Sequence, residues 1–128
     1  MTPTETLLDT CIMIDVLRGN ETALTFVSGL PRAPALAVVT VTELVAGCRS
    51  AKERRQIDRL LSLYTVHDID RDIAGLAGDY VRRYGPSHGT DPIDALIAAT
   101  AKTHGLALAT LNLKHFPMFV GLTRPYRP

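Results

Sequence analysis

Three acids in this chain stand where carboxylates can be brought together. Asp9 ends the apolar run "TLL", Glu43 follows Thr40 by three residues in "TVTE", and Asp94 follows Asp91 by three in "DPID". Each has a local explanation. Asp9 can cap the helix after it, and Thr40 with Glu43 reads as a capping box. Asp91 can be an N-cap, with Pro92 at the first helical position and Asp94 at the third. A cap contributes ~1 kcal/mol, and an acid in the first turn adds ~0.3–1 kcal/mol through the helix dipole.

If those three helix starts meet at one edge of a sheet, the local account is not enough. Carboxylates 4 Å apart repel by about 4 kcal/mol per pair at an effective dielectric of 20, so one is protonated or a cation lies among them. The donors are all oxygen, with no His or Cys at matching positions, which favours Mg²⁺ or Mn²⁺ over zinc. The chemistry of such a centre is phosphodiester hydrolysis, with a polarised phosphoryl oxygen and an activated water.

The elements that must position these acids follow from the apolar pattern. A short strand at Thr6 to Leu8 leads into a helix from Thr10 to Arg18 that stops at Gly19, and Asn20 caps a second helix to Ser28. Ala35 to Val41, small and β-branched, reads as a strand buried on both faces, with a helix from Val41 to Ala46 after it. Ala51 to Leu63 is amphipathic, with Ile57, Leu60 and Leu61 inward and Lys52, Arg54, Arg55 and Arg59 outward.

"YTVHD" is a third strand. A long helix follows from Arg71 to Tyr84, ended by "GPSHG", in which Gly75 and Gly78 suggest close packing against a neighbour. Pro92 to His104 is apolar nearly all round and should be buried, and Leu106 to Thr110 is a fourth strand. The alternation predicts one α/β domain spanning residues 1–128, with a short, mainly parallel central sheet flanked by helices. In such sheets the chemistry lies at the carboxyl ends of the strands.

The 128 residues are 46% hydrophobic and 21% charged, with a formal net charge of +1, which excludes a general polyanion-binding surface and leaves room for local basic patches. Cys11 and Cys48 lack metal-ligand spacing and read as reduced thiols. "MTPTET" lacks the features of a secretory leader and no apolar run is long enough to span a bilayer, so the expectation is a soluble, cytoplasmic protein with no membrane partner.

The segments "LLDTCIMIDVLRG", "VTVTELVAG", "DPIDALIAATA" and "LATLNLKHF" resemble, in order and spacing, the four acidic-motif regions of PIN domains. They are most similar to those of the VapC-type toxins of bacterial toxin–antitoxin pairs. The resemblance implies a PIN-like fold and a Mg²⁺- or Mn²⁺-dependent endoribonuclease acting on structured RNA, such as transfer RNA or ribosomal loops. Asp9 and Asp94 would be the principal metal ligands, with Glu43 holding a metal water or acting as base. Asn112 falls on the fourth acidic position, and Asp91 is a further candidate there. A homodimer and an inhibitory cognate antitoxin are also implied.

Cys11 stands where the family commonly has Asn, an amide that hydrogen-bonds the neighbouring acids. Thr10 and Thr40 carry hydroxyls able to take over part of that role. A PIN-like RNA- or protein-binding module with impaired catalysis is therefore the alternative reading. A phospho-accepting receiver is disfavoured, because "LLDTCIMID" has neither an adjacent acid pair nor a DxD pattern.

Asp15 reads as a surface acid near Arg18, and none of His67, His88, His104 and His115 is assigned a role. Lys114 is the candidate RNA contact, since it follows a strand end that should border the acids. The tail "TRPYRP" could meet RNA or a partner.

Overall fold

In a computed structural model, described here over residues 4–127, four strands form one sheet in the order β3-β2-β1-β4. They are β1 (Thr6–Leu8), β2 (Ala35–Ala37), β3 (Thr65–His67) and β4 (Ala107–Ala109). All three pairings are parallel, with Leu7 opposite Ala35 and Leu108, and Leu36 opposite Val66. The α/β reading is borne out.

The helices are α1 (Thr10–Leu17), α2 (Glu21–Ser28), α3 (Val38–Ala46), α4 (Ala51–Leu61), α5 (Arg71–His88) and α6 (Pro92–His104). A 3₁₀ turn at Leu113–His115 follows β4. No helix among the described residues is long and apolar enough to cross a membrane. Residues 1–3, half of "MTPTET", and residue 128, the end of the tail, lie outside the described residues.

Because side chains alternate along a strand, both sheet faces are buried. Leu8, Leu36 and Ala109 pack with Ile12, Met13 and Val16 of α1 and Leu44 of α3. On the other face Leu7, Ala35, Ala37 and Leu108 meet Ile97, Ala98 and Ala101 of α6. The opposite side of α6, Ala95 and Ala99, packs against Ile73 and Ala77 of α5. That sandwich explains why α6 is apolar almost all round.

Three local expectations fail. Strand β2 ends at Ala37, and Val38 to Val41 belong to α3, although β-branched residues favour strands. Burial decides it: Thr40 is fully enclosed, with its hydroxyl 3.0 Å from that of Thr10. Helix α5 passes through Gly85 and Pro86 to His88 and ends at Gly89, whose φ of 69° is the left-handed cap that glycine favours. Gly75 and Gly78 are exposed and face open space, so close packing is not their reason.

Candidate active site

The sheet order puts a switch point beside β1, because the chain moves from β1 to β2 and β3 on one side and returns to β4 on the other. Ligand crevices of open α/β sheets form outside the carboxyl ends of strands at such points. Asp9 follows β1 there, and Thr110 follows β4. The Asp9 N–H extends the ladder to the Ala109 carbonyl at 2.9 Å.

Asp9 is the N-cap of α1, as expected, and is 4% exposed. Its Oδ1 accepts the Thr10 N–H at 2.8 Å. Its Oδ2 accepts the Thr110 hydroxyl at 2.7 Å and the Cys11 thiol at 3.4 Å. Three donors converge on one buried carboxylate, so its orientation is fixed. Cys11 therefore does what the amide was expected to do. Burial, and then the charge of Asp9, push its thiol up to about 12, and the proton stays on the sulfur. This removes the main reason for reading the chain as a binding module with impaired catalysis.

Asp94 lies in the first turn of α6, where Asp91 caps the Asp94 N–H at 2.8 Å and Asp94 Oδ2 accepts the Asp91 N–H at 3.3 Å. This capping box matches the reading of "DPID", and exposed Asp91 serves as the cap. Burial raises the Asp94 carboxyl to about 6, and the charges of Asp91 and Asp9 add to this, while the Asp91 N–H and His115 act against it. Asp94 thus feels the charge of Asp9.

Glu43 departs from expectation. The N-cap of α3 is Ala37, so Thr40 and Glu43 form no capping box, and Glu43 lies in the second turn. It reaches the site through Thr10, whose hydroxyl donates to Glu43 Oε1 at 2.7 Å. Thr10 has one hydroxyl proton, so Thr40 must be the donor in the contact between the two threonines. Among the described residues no three His, Cys, Asp or Glu side chains converge as a metal cage. Asp9 and Asp94 influence one another electrostatically, and Glu43 is linked to Asp9 through Thr10, whose hydroxyl donates to Glu43 while its backbone N–H donates to Asp9.

Asn112 is exposed; its backbone N–H donates to Thr110 Oγ1 at 3.0 Å, and its side chain makes no capping bond. Lys114 is exposed on the 3₁₀ turn. Asp15 is not a plain surface acid, since it accepts the Tyr126 hydroxyl at 2.8 Å and so fastens the tail to α1. A groove of about 490 Å³ borders Glu43, though neither Asp9 nor Asp94, and is lined by Ile14, Leu17, Arg18 and Arg49.

Sequence reasoning passed over His115, whose Nδ1 lies 3.1 Å from Asp94 Oδ2. No spacing signals this contact, which depends on the turn after β4 folding back over the start of α6. Thr110 was likewise missed, although a hydroxyl directly after a buried strand is a signal available in "LALATLN".

Comparison with known proteins agrees with this geometry. Ribonuclease VapC10 of Mycobacterium tuberculosis is 45% identical over 123 residues, covering 94% of this chain and 92% of that protein. Ribonuclease VapC19 of the same organism is 38% identical over 124 residues, covering 94% and 98%. A toxin–antitoxin complex from Klebsiella pneumoniae contains a chain with a TM-score of 0.84 and 29% identity, covering 97% of this chain and 100% of that one. The family model of the PIN domain matches residues 6–117, and the chain belongs to that family.

Proposed function

We propose that the chain is a metal-dependent endoribonuclease, the toxin of a type II toxin–antitoxin pair. The observation that carries this reading is Asp9, buried at the carboxyl end of β1 beside the switch point and held there by Thr10, Cys11 and Thr110, with the burial-raised Asp94 near enough to feel its charge. The reading is further supported by the 45% identity to a protein named as a ribonuclease, and by the likeness to a chain from a toxin–antitoxin complex.

The donor set suits a hard cation. Glu43 is exposed, and Asp94 Oδ1, for which no donor is seen, is not fully sealed from solvent. Asp9 and Asp94 would hold Mg²⁺ or Mn²⁺, with Glu43 reaching it through water. Bound there, the ion polarises a phosphoryl oxygen and lowers the pKa of a water.

The remaining work falls to the chain. Thr10, Cys11 and Thr110 orient Asp9, and Glu43, held by the Thr10 hydroxyl, would accept the proton of an attacking water. Asn112 would orient water beside Thr110, and Lys114 would contact a phosphate. The substrate would be RNA with unpaired, loop-exposed nucleotides, as in transfer or ribosomal RNA, whose unstacked bases can be splayed into a site. A cognate antitoxin would find an apolar floor in the groove beside Glu43, where Ile14 is 37% exposed. The active form would be a cytoplasmic homodimer.

The test is cleavage of total RNA by the purified chain with and without Mg²⁺ or Mn²⁺, with the new RNA ends sequenced. Discrete ends that require the metal and vanish in Asp9→Ala and Asp94→Ala are expected. Cleavage that persists in both variants, or under chelation, overturns the proposal.

A further inference from the structure

We propose that Arg124 and Tyr126 are positioning residues for Asp9: with Pro125 between them they form a bracket that fastens the turn after β4 to α1, and so keeps Thr110 against the Asp9 carboxylate. This rests on the reading of Asp9 as a metal ligand, and deepens it.

The joint to be held lies between β1 and β4. Thr110 donates its hydroxyl to Asp9 Oδ2 at 2.7 Å, and it is the first residue beyond β4, an edge strand of 3 residues. After Thr110 the chain leaves the sheet, and Leu111 and Asn112 lead into the 3₁₀ turn. A short edge strand and the turn beyond it open locally at low cost unless they are fastened.

The tail fastens them through two hydrogen bonds to different elements. Arg124 donates its Nε–H to the Leu111 carbonyl at 3.3 Å, one residue beyond Thr110. Tyr126 donates its hydroxyl to Asp15 Oδ2 of α1 at 2.8 Å. The residue between these two anchors is Pro125, whose ring fixes its own φ and holds Arg124 extended. The anchors therefore keep a nearly constant separation, and movement of Leu111 is resisted at Asp15.

Asp15 lies four residues after Cys11 on the same face of α1, and the Cys11 thiol donates to Asp9 Oδ2 at 3.4 Å. The Tyr126 ring, 8% exposed, packs in the core with Ala109 and Ile12, and Cys11 and Leu111 adjoin the same cluster. Both side chains that donate to Asp9 Oδ2 thus stand next to a residue that the tail grips: Thr110 beside Leu111, and Cys11 one helical turn from Asp15.

At position 124, Gln and Met separate the bond from the bulk, because the Gln amide nitrogen falls where Arg Nε lies and Met puts no donor there. The experiment titrates Mn²⁺ alone by calorimetry into the full chain, into Arg124→Gln, Arg124→Met, Tyr126→Phe and Thr110→Val, and into the Thr110→Val, Tyr126→Phe double variant. Thermal unfolding without metal accompanies each. Asp70→Ala, which removes the cap of α5 at the opposite end of that helix from Gly89, is the control for lost stability alone.

Partners that orient a metal ligand directly are worth ten- to hundredfold in metal affinity, so roughly fivefold weakening is expected in Arg124→Met and Tyr126→Phe, which act one step further out. Arg124→Gln and Asp70→Ala should stay within about twofold of the natural chain, and adding Tyr126→Phe to Thr110→Val should weaken binding by less than about twofold more, because both act through one bond. Unchanged binding in Arg124→Met or Tyr126→Phe, equal behaviour of the Gln and Met variants, losses that add in full with Thr110→Val, or an equal loss in Asp70→Ala overturns the proposal and leaves the metal reading standing. A natural chain that binds no Mn²⁺ overturns the metal reading, and the positioning role with it.

Discussion

Thr110 and Asp9, 101 positions apart in sequence, are joined by a 2.7 Å hydrogen bond between the ends of neighbouring strands. The same hydroxyl oxygen accepts the Asn112 N–H at 3.0 Å, so Thr110 turns the loop after β4 while supporting the carboxylate. Replacing Thr110 with Val removes both roles at nearly constant volume. A hydrogen bond to a charged group is worth about 1.5–3 kcal/mol, and a loss of that size is expected in urea unfolding. RNA cleavage should fall with it, while Thr110→Ser stays near the natural protein in both measurements.

Cys11 offers a chemical readout of the same carboxylate. The thiolate is the reactive form, and burial followed by the Asp9 charge raises this thiol from 9.0 to about 12. At pH 8 iodoacetamide should therefore modify Cys11 far more slowly than it modifies glutathione, although the residue is partly exposed. Asp9→Asn should speed the reaction several-fold, as followed by mass spectrometry of the Cys11 peptide. Rapid labelling of Cys11 in the natural protein would contradict the thiol–carboxylate contact.

Asp94 makes stability depend on pH with an unusual sign for an acid. Its carboxyl moves from 3.8 to about 6, so the folded state binds the proton more tightly than the unfolded one. Its contribution is complete below about pH 4 and lost as the pH rises through 6. With metal chelated, the free energy of unfolding in urea should fall between pH 4.5 and 7.5 by on the order of 2 kcal/mol, each tenfold change in proton affinity being about 1.4 kcal/mol. Asp94→Asn should remove this decline. Added Mg²⁺ should protect the natural protein more at pH 7.5 than at pH 5, because the cation requires the ionised acid.

The tail makes a separate, structural prediction. Tyr126 is buried against Phe26 and donates to Asp15, and burial with that hydrogen bond raises the phenol above its ordinary range. Tyr126→Phe keeps the ring and loses the bond, which should destabilise by about 1–2 kcal/mol in chemical unfolding. Asp15→Asn, which can still accept, should have a smaller effect. A tail free in solution would leave both variants indistinguishable from the natural chain.

What the sequence discloses and what it withholds divide along physical lines. "DPID" is legible because a cap, a proline at the first helical position and an acid at the third act within one turn, and α6 reads correctly from end to end. The "VVTV" run is misread because strand propensity is a weak preference, and the need to bring Thr40 onto Thr10 overrides it. Pro86 fails to stop α5 because an exposed helix end tolerates one lost backbone bond. Asp9 and Asp94 can be singled out by type and place, but the contacts that orient them cannot. Thr110 and His115 reach the acids only through the order of strands and the fold of a turn, which no local spacing encodes.

Helix α6 is confined between the sheet and α5 by side chains that are mostly single methyl groups, with Ala98 and Ala101 on one side and Ala95 and Ala99 on the other. A helix wedged on two sides has no direction in which to retreat. Enlarging Ala98 or Ala99 would be transmitted along the rigid helix to its first turn, and the separation of Asp94 from Asp9 would change without any residue of the crevice being touched. The alanines act as shims: they set how close α6, and with it Asp94, sits to the sheet.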